Sequence, residues 1–135
     1  MVGNERQNIS SGAPWEPIVG YSRAVRVGLH VFVAGTTASD ADGNVAAPGN
    51  AYGQAIDIFG KIEAALRAAG ASMTDVVRTR MFVTDMANFD AVGRAHAEFF
   101  RDVLPAATMV EVQRLVSPEM LVEIEVDAVI TGQQT

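Results

Sequence analysis

A chain of 135 residues is long enough to bury a core and short enough to form one domain, taken here as residues 1–135. Hydrophobic residues at 49% and charged residues at 19% exclude disorder, and a net charge of −6 with no run of Lys or Arg argues against nucleic-acid partners. The absence of cysteine removes disulfides, thiolate nucleophiles and zinc–thiolate clusters together.

The opening MVGNERQNISSG has no basic segment followed by an apolar core, and no apolar run approaches membrane-spanning length, so the chain reads as cytoplasmic with no membrane partner. Glu5 to Ser10 reads as a short edge strand, broken by Ser11-Gly12-Ala13-Pro14. Trp15 follows in an irregular segment ending at Gly20-Tyr21; a lone Trp in such a loop is expected to anchor it rather than to line a pocket. Ser22 to Val27 and His30 to Gly35 predict a hairpin across Gly28-Leu29, and the continuous apolar run VFVAG predicts cover on both faces of its second strand. Gly35 is expected to mark a turn, with close approach by a ligand or a backbone as the second reading.

Asp40-Ala41-Asp42-Gly43-Asn44 is a turn-rich loop without EF-hand spacing. From Asn50 onward, Ala55, Ile58, Phe59, Ile62, Ala65, Leu66 and Ala69 recur at helical spacing, and Gly70 supplies the stop. Val76 to Thr84 predicts a strand with Val77, Thr79, Met81 and Val83 on one face and Arg78, Arg80 and Phe82 on the other. A second helix follows, with Asn88 as its expected N-cap and Phe89, Val92, His96, Phe99 and Val103 as its apolar stripe; Pro105 closes it. His96 on that stripe is read as a partly buried structural histidine, kept in view because it titrates near neutral pH.

The segment from Pro105 to Ile130 predicts two strands joined through Val116-Ser117-Pro118-Glu119. In the second, Val122, Ile124, Val126, Ala128 and Ile130 point one way and Glu123, Glu125 and Asp127 the other. Three like charges at period two repel one another and call for cations or water. Arg78 and Arg80, also at period two, could match Glu123 and Glu125 pair for pair across neighbouring strands. The competing reading has one carboxylate holding a water as general base, and Glu123, nearest the loop, is the acid for which it is strongest. Two helices can cover only one face of such a sheet, so the apolar residues on the other face predict a homo-oligomer. G-x-G-x-x-G, P-loop, G-x-S-x-G and H-E-x-x-H motifs are all absent, and two distant histidines make no metal site.

Gly20-Tyr21, VFVAG, the helix ending AAG, VVRTRMFVTD, AHAEFF, PAATMVEVQRL and VEIE, in that order, resemble the RidA (YjgF) superfamily across nearly the whole chain. The resemblance implies a chorismate-mutase-like α/β fold of the α+β kind, a mixed sheet with two helices packed on one face. It also implies a homotrimer with ligand clefts between subunits, and hydrolysis of 2-aminoacrylate-type enamines and imines to ammonia and a 2-keto acid without cofactor or metal. Carried across, the tyrosine lining the cleft is Tyr21 and the glutamate positioning water is Glu123, while the arginine that grips the substrate carboxylate falls at Ala107. An alanine cannot form a bidentate pair with a carboxylate, which turns the expectation toward an enamine, imine or related amide without an α-carboxylate. Arg80 or Arg114 is the alternative source of the cation; Thr108 and the backbone around Gly35 and Met109 would shape the cleft. The reading from another class is a noncatalytic trimer that captures a small-molecule metabolite in the same cleft.

Overall fold

The computed structural model describes residues 5–131. Six strands, β1 (Arg6–Ile9), β2 (Ala24–Val27), β3 (His30–Thr36), β4 (Val76–Val83), β5 (Ala106–Glu111) and β6 (Val122–Val129), form one sheet in the order β1-β2-β3-β6-β4-β5. All neighbours are antiparallel except β4 and β5, so the sheet is mixed. Helices α1 (Ala51–Ala68) and α2 (Phe89–Phe100) pack against each other, and α1 lies on β3 and β6.

Each helix follows from its local sequence. Asn50 caps α1, its side chain accepting from the Gly53 amide at 3.0 Å. At the other end Gly70 takes φ 85° and Ala71 N–H bonds back to the Leu66 carbonyl at 2.8 Å, a left-handed stop that glycine adopts without a Cβ clash. Between them Ile58, Phe59, Ile62 and Leu66 are wholly buried against Val31, Val33, Val122, Ile124 and Val126 of the sheet. At about 1.5–3 kcal/mol for each large side chain, this layer is the main source of cohesion.

Three local expectations need correction. Pairing between β4 and β6 shifts between Val76 and Arg78, so Val76 enters the core and Val77 is 46% exposed instead of sharing the Thr79 face. The apolar stripe of α2 begins at Val92; Phe89 stays 53% exposed because it stands two turns before the cluster in which Phe59 meets His96, Phe99 and Phe100. Asn88 occupies the cap position but makes no capping hydrogen bond, and Asp85 caps the preceding turn by accepting from Ala87 N–H at 2.9 Å.

The sheet face away from the helices carries the acidic row of β6, Arg78 and Arg80 of β4, and Phe32, which is 49% exposed. Of VFVAG, Phe32 is the residue that the described residues leave open on that side, while Ala34 and Gly35 are half-buried. Among the described residues no helix is long and apolar enough to cross a membrane.

Candidate functional site

At the end of the sheet where β3 finishes and β6 begins, an open cavity of about 810 Å³ forms between the segment around Trp15, the loop after β3, and α1. Its polar wall holds Glu123, Arg23, Tyr21 and Lys61, and much of the rest is apolar, including Trp15, Val19 and Met120. A mostly apolar cleft with a few convergent polar groups suits a small molecule.

Glu123 reaches this cavity because of two features of β3. Pairing of β3 with β6 is regular to Val33↔Val126 and resumes at Thr36↔Ile124, so Ala34 and Gly35 stand opposite the single residue Glu125. This bulge places Gly35 beside the Glu123 side chain, where a Cβ on residue 35 would lie 2.1 Å from Glu123 Oε2. Gly35 therefore lies within a strand rather than marking a turn, and the close approach that needs a glycine there is made by the chain's own carboxyl. Glu123 is half-buried, and no donor among the described residues hydrogen-bonds its carboxyl. Burial pushes its pKa up, the neighbouring Glu125 adds to the rise, and Arg23 offsets part of it.

Arg23 is the cation of this corner, and sequence reasoning missed it. Its Nη1 donates to the Gly35 carbonyl at 2.9 Å and to Thr36 Oγ1 at 2.8 Å, and its Nη2 donates to the Tyr21 hydroxyl at 3.2 Å. The Nε lies 3.8 Å from Glu16 Oε2, both side chains being nearly enclosed at 11% and 5% exposure. Glu16 opens a π-helical turn, Glu16–Gly20, which Tyr21 N–H closes on the Glu16 carbonyl at 3.0 Å. Pro17 has no N–H to lose in the first turn, and Gly20 supports φ 93° at the exit. Burial raises the Glu16 pKa, but hydrogen bonds from Ser11 and Ser10, together with Arg23, outweigh that and hold the carboxyl below its ordinary value. The sequence signal was available in principle: an acid and a base seven residues apart flank Gly20-Tyr21.

Lys61 of α1 is committed elsewhere, donating to the carbonyls of Thr37 and Ser39 and pairing with Asp57 at 3.3 Å. Trp15, expected as an anchor, is 50% exposed and lines the cavity. The reason is Glu16: the buried residue of that turn is the hydrogen-bonded acid, so the adjacent indole projects outward.

The remaining candidates lie elsewhere. Arg80 bonds Glu125 at 3.1 Å and Asp127 at 3.2 Å, and Arg78 stands opposite Asp127, so the cross-strand ladder exists but is displaced by two residues. Glu123 faces Phe82 and is left out of it. Ala107 and Thr108 are exposed on β5, with Met109 half-buried beside them. Ala107 pairs with Thr79, on the helix-facing side, and Thr108 pairs with Arg80 on the open side. Within one chain Ala107 and Glu123 thus sit on opposite faces of the sheet with β4 between their strands. Arg114 is exposed in the loop before β6 and does not line the cavity. His96 is bonded through Nε2 to Thr79 Oγ1 at 2.9 Å, packed against Phe59 and Phe100, and lowered in pKa by burial, as suits a structural histidine. No group of three or more His, Asp or Glu among the described residues converges as a metal site.

Residues 11–130 match the family described as Endoribonuclease L-PSP. A RutC family protein of Pyrococcus horikoshii is 34% identical over 110 residues, covering 82% of this chain and 86% of that protein. A Mycobacterium tuberculosis protein solved as a member of the YjgF/YER057c/UK114 family is 46% identical and superposes with a TM-score of 0.85, over 93% of this chain and all of that one (100%). The YjgF gene product of E. coli is 30% identical with a TM-score of 0.78, over 91% of this chain and 98% of that one. The two solved structures share the fold of this chain, a mixed sheet backed by two helices, over nearly its whole length. The chain belongs to the RidA (YjgF) superfamily.

Proposed function

We propose that this protein is a RidA-like small-molecule hydrolase acting on an enamine, imine or related amide, with Glu123 as its working carboxyl. The observation that carries the reading is Glu123 itself: half-buried at the cavity, free of the arginine ladder that engages its neighbours, and raised in pKa by desolvation. A carboxyl of raised pKa exchanges protons closer to neutrality, which suits general acid–base work. In such a step a water oxygen bonds to the imine carbon, Glu123 takes its proton, and the nitrogen accepts the electron pair of the C=N bond. Return of that proton to nitrogen gives a carbinolamine; Glu123 then takes the proton of its hydroxyl and passes it to nitrogen as the O–H electron pair forms the C=O bond and the C–N bond breaks, giving ammonia or an amine and a carbonyl product. Nothing in this sequence of steps calls for a cofactor or metal.

The substrate we favour lacks an α-carboxylate, because the family's arginine falls at Ala107 and the cations of the cavity are already committed. A homotrimer is part of the proposal: Ala107 and Thr108 reach the cleft of Glu123 only from a second copy, and the exposed Phe32 face gives that copy an apolar surface to cover. Light scattering should return three chains per particle; a monomer at micromolar concentration would remove the shared cleft. A chain of net charge −6 without a basic stripe is a poor match for RNA, so the ribonuclease in the family's description is not carried over. Ammonia release from imines generated in situ, with Glu123→Gln as control, tests the enzyme. Ligand-induced thermal stabilisation without turnover above that control supports the second reading, a metabolite-binding trimer, which the alanine at position 107 favours.

A further inference from the structure

We propose that Glu16 is an internal anchor for Arg23, and that Arg23 so held is a positioning residue that shapes the reacting corner while being kept off Glu123. The inference rests on the reading of Glu123 as the working group, and deepens it.

The geometry is a chain of contacts around one backbone position. Arg23 Nη1 grips the carbonyl of Gly35, and the same glycine is the residue against which the Glu123 carboxyl lies. Guanidinium and carboxyl therefore flank a single residue, yet no ion pair joins them, whereas Arg23 reaches Glu16, Thr36 and Tyr21. An arginine left to itself beside a half-buried carboxylate would turn its fork onto it, because a charge-assisted pair is stronger than neutral hydrogen bonds. Glu16 prevents this by offering a buried carboxylate 3.8 Å from Arg23 Nε, itself fixed by Ser10 and Ser11. One charge thus does three things: it orients the Tyr21 hydroxyl, pins the bulge at Gly35, and acts on Glu123 through space without neutralising it.

The charged groups around Glu123 are Arg23 beside β2, Glu16 on its turn, Glu125 on the same strand and the Arg80 of β4 that pairs with it, Asp40 on the loop, and Lys61 on α1. Of these, only Arg23 and Glu16 change in the test. Removing Arg23 takes away a cation that favours ionised Glu123, so the titration midpoint of Glu123 should move up. Removing the charge of Glu16 deletes a nearby anion and releases Arg23 toward Glu123, so the midpoint should move down.

The experiment is a carboxyl-carbon NMR titration of Glu123 in full-length wild type, Arg23→Gln, Glu16→Gln and Arg23→Lys. Opposite shifts in the first two variants, with Arg23→Lys returning toward wild type, are expected. Shifts in the same direction, or none, would overturn the proposal in favour of a purely structural strut. Should Glu16→Gln fail to fold, Ser11→Ala, which removes the hydroxyl that holds Glu16 Oε2 in place against Arg23, is read instead. A downward shift there supports the proposal and an unchanged midpoint refutes it. Because the titration needs no substrate, it stands apart from imine turnover: a network that titrates as described in a protein without Glu123-dependent turnover would leave the anchor intact and sink only the enzyme reading.

Discussion

Two arginines of this protein each meet carboxylates, and their surroundings give them opposite meanings. Arg80 bridges Glu125 and Asp127 on the open face of the sheet, with its side chain 40% exposed. Water competes for every charge in that ladder, so its contribution is about 0–1 kcal/mol and its main effect is to relieve repulsion along β6. Arg23 and Glu16 are nearly enclosed, where a lost partner leaves a charge that water solvates only in part. The ladder engages two of the three acids of β6 and passes over the third. The enclosed pair lies next to that third acid and holds a cation back from it. Solvent access, more than residue type, separates a surface ladder from a built site.

The largest expected effect divides the acids themselves. Glu123→Gln should lower imine turnover by about 10²–10⁴-fold, the usual worth of a positioned acid–base group, whereas Glu125→Gln should cost only a few-fold. Equal losses in the two would erase the distinction between ladder and site. Gly35→Ala sharpens it differently. The added Cβ would meet Glu123 Oε2, the far end of a flexible side chain, so the carboxyl should swing aside with little loss of stability. Turnover should fall nearly as far as in Glu123→Gln while the melting temperature barely moves; retained turnover would show that the carboxyl need not rest where it does.

Ala107→Arg asks whether a third arginine can complete the corner. A charge-assisted hydrogen bond contributes about 1.5–3 kcal/mol, so turnover of 2-iminopropionate should rise on the order of tenfold if the partner chain presents residue 107 to the cleft. If wild type already turns this substrate over and Arg80→Ala or Arg114→Ala abolishes it, the family's cation has moved to that arginine.

The smallest effects are on stability. Arg80→Ala should change unfolding free energy by no more than about 1 kcal/mol in urea melts, given its exposure. For Glu123 the sign follows from its raised pKa: the folded state favours the neutral acid, so its favourable contribution is present below the unfolded value near 4.5 and is lost as pH rises through the folded value. At neutral pH the ionised carboxyl therefore costs stability, and Glu123→Gln should melt higher than wild type, with the gap closing below 4.5. A variant that is less stable at neutral pH would mean that Glu123 has a partner in the assembled protein.

Residue order alone specifies whatever depends on neighbours along the chain. The alternation of β6, the stripe and glycine stop of α1, the edge strand β1 and the ordered blocks of the RidA superfamily were all legible, because side-chain period and capping are local properties. It singled out Tyr21, Gly35 and Glu123, which the fold brings to one cavity. Which charges meet depends on how the strands pair in the folded core. The ladder is displaced because strand register is set by burial of Val122, Ile124 and Val126, not by the charges on the opposite face. The bulge that brings Gly35 to Glu123 and the turn that buries Glu16 against Arg23 depend on contacts between segments far apart in sequence or on irregular backbone, neither of which has a period to read. Ala107 and Glu123 occupy opposite faces for the same reason: β5 and β6 pair with β4 in registers that set Ala107 opposite Thr79 and Glu123 opposite Phe82, and those registers are chosen by the folded core.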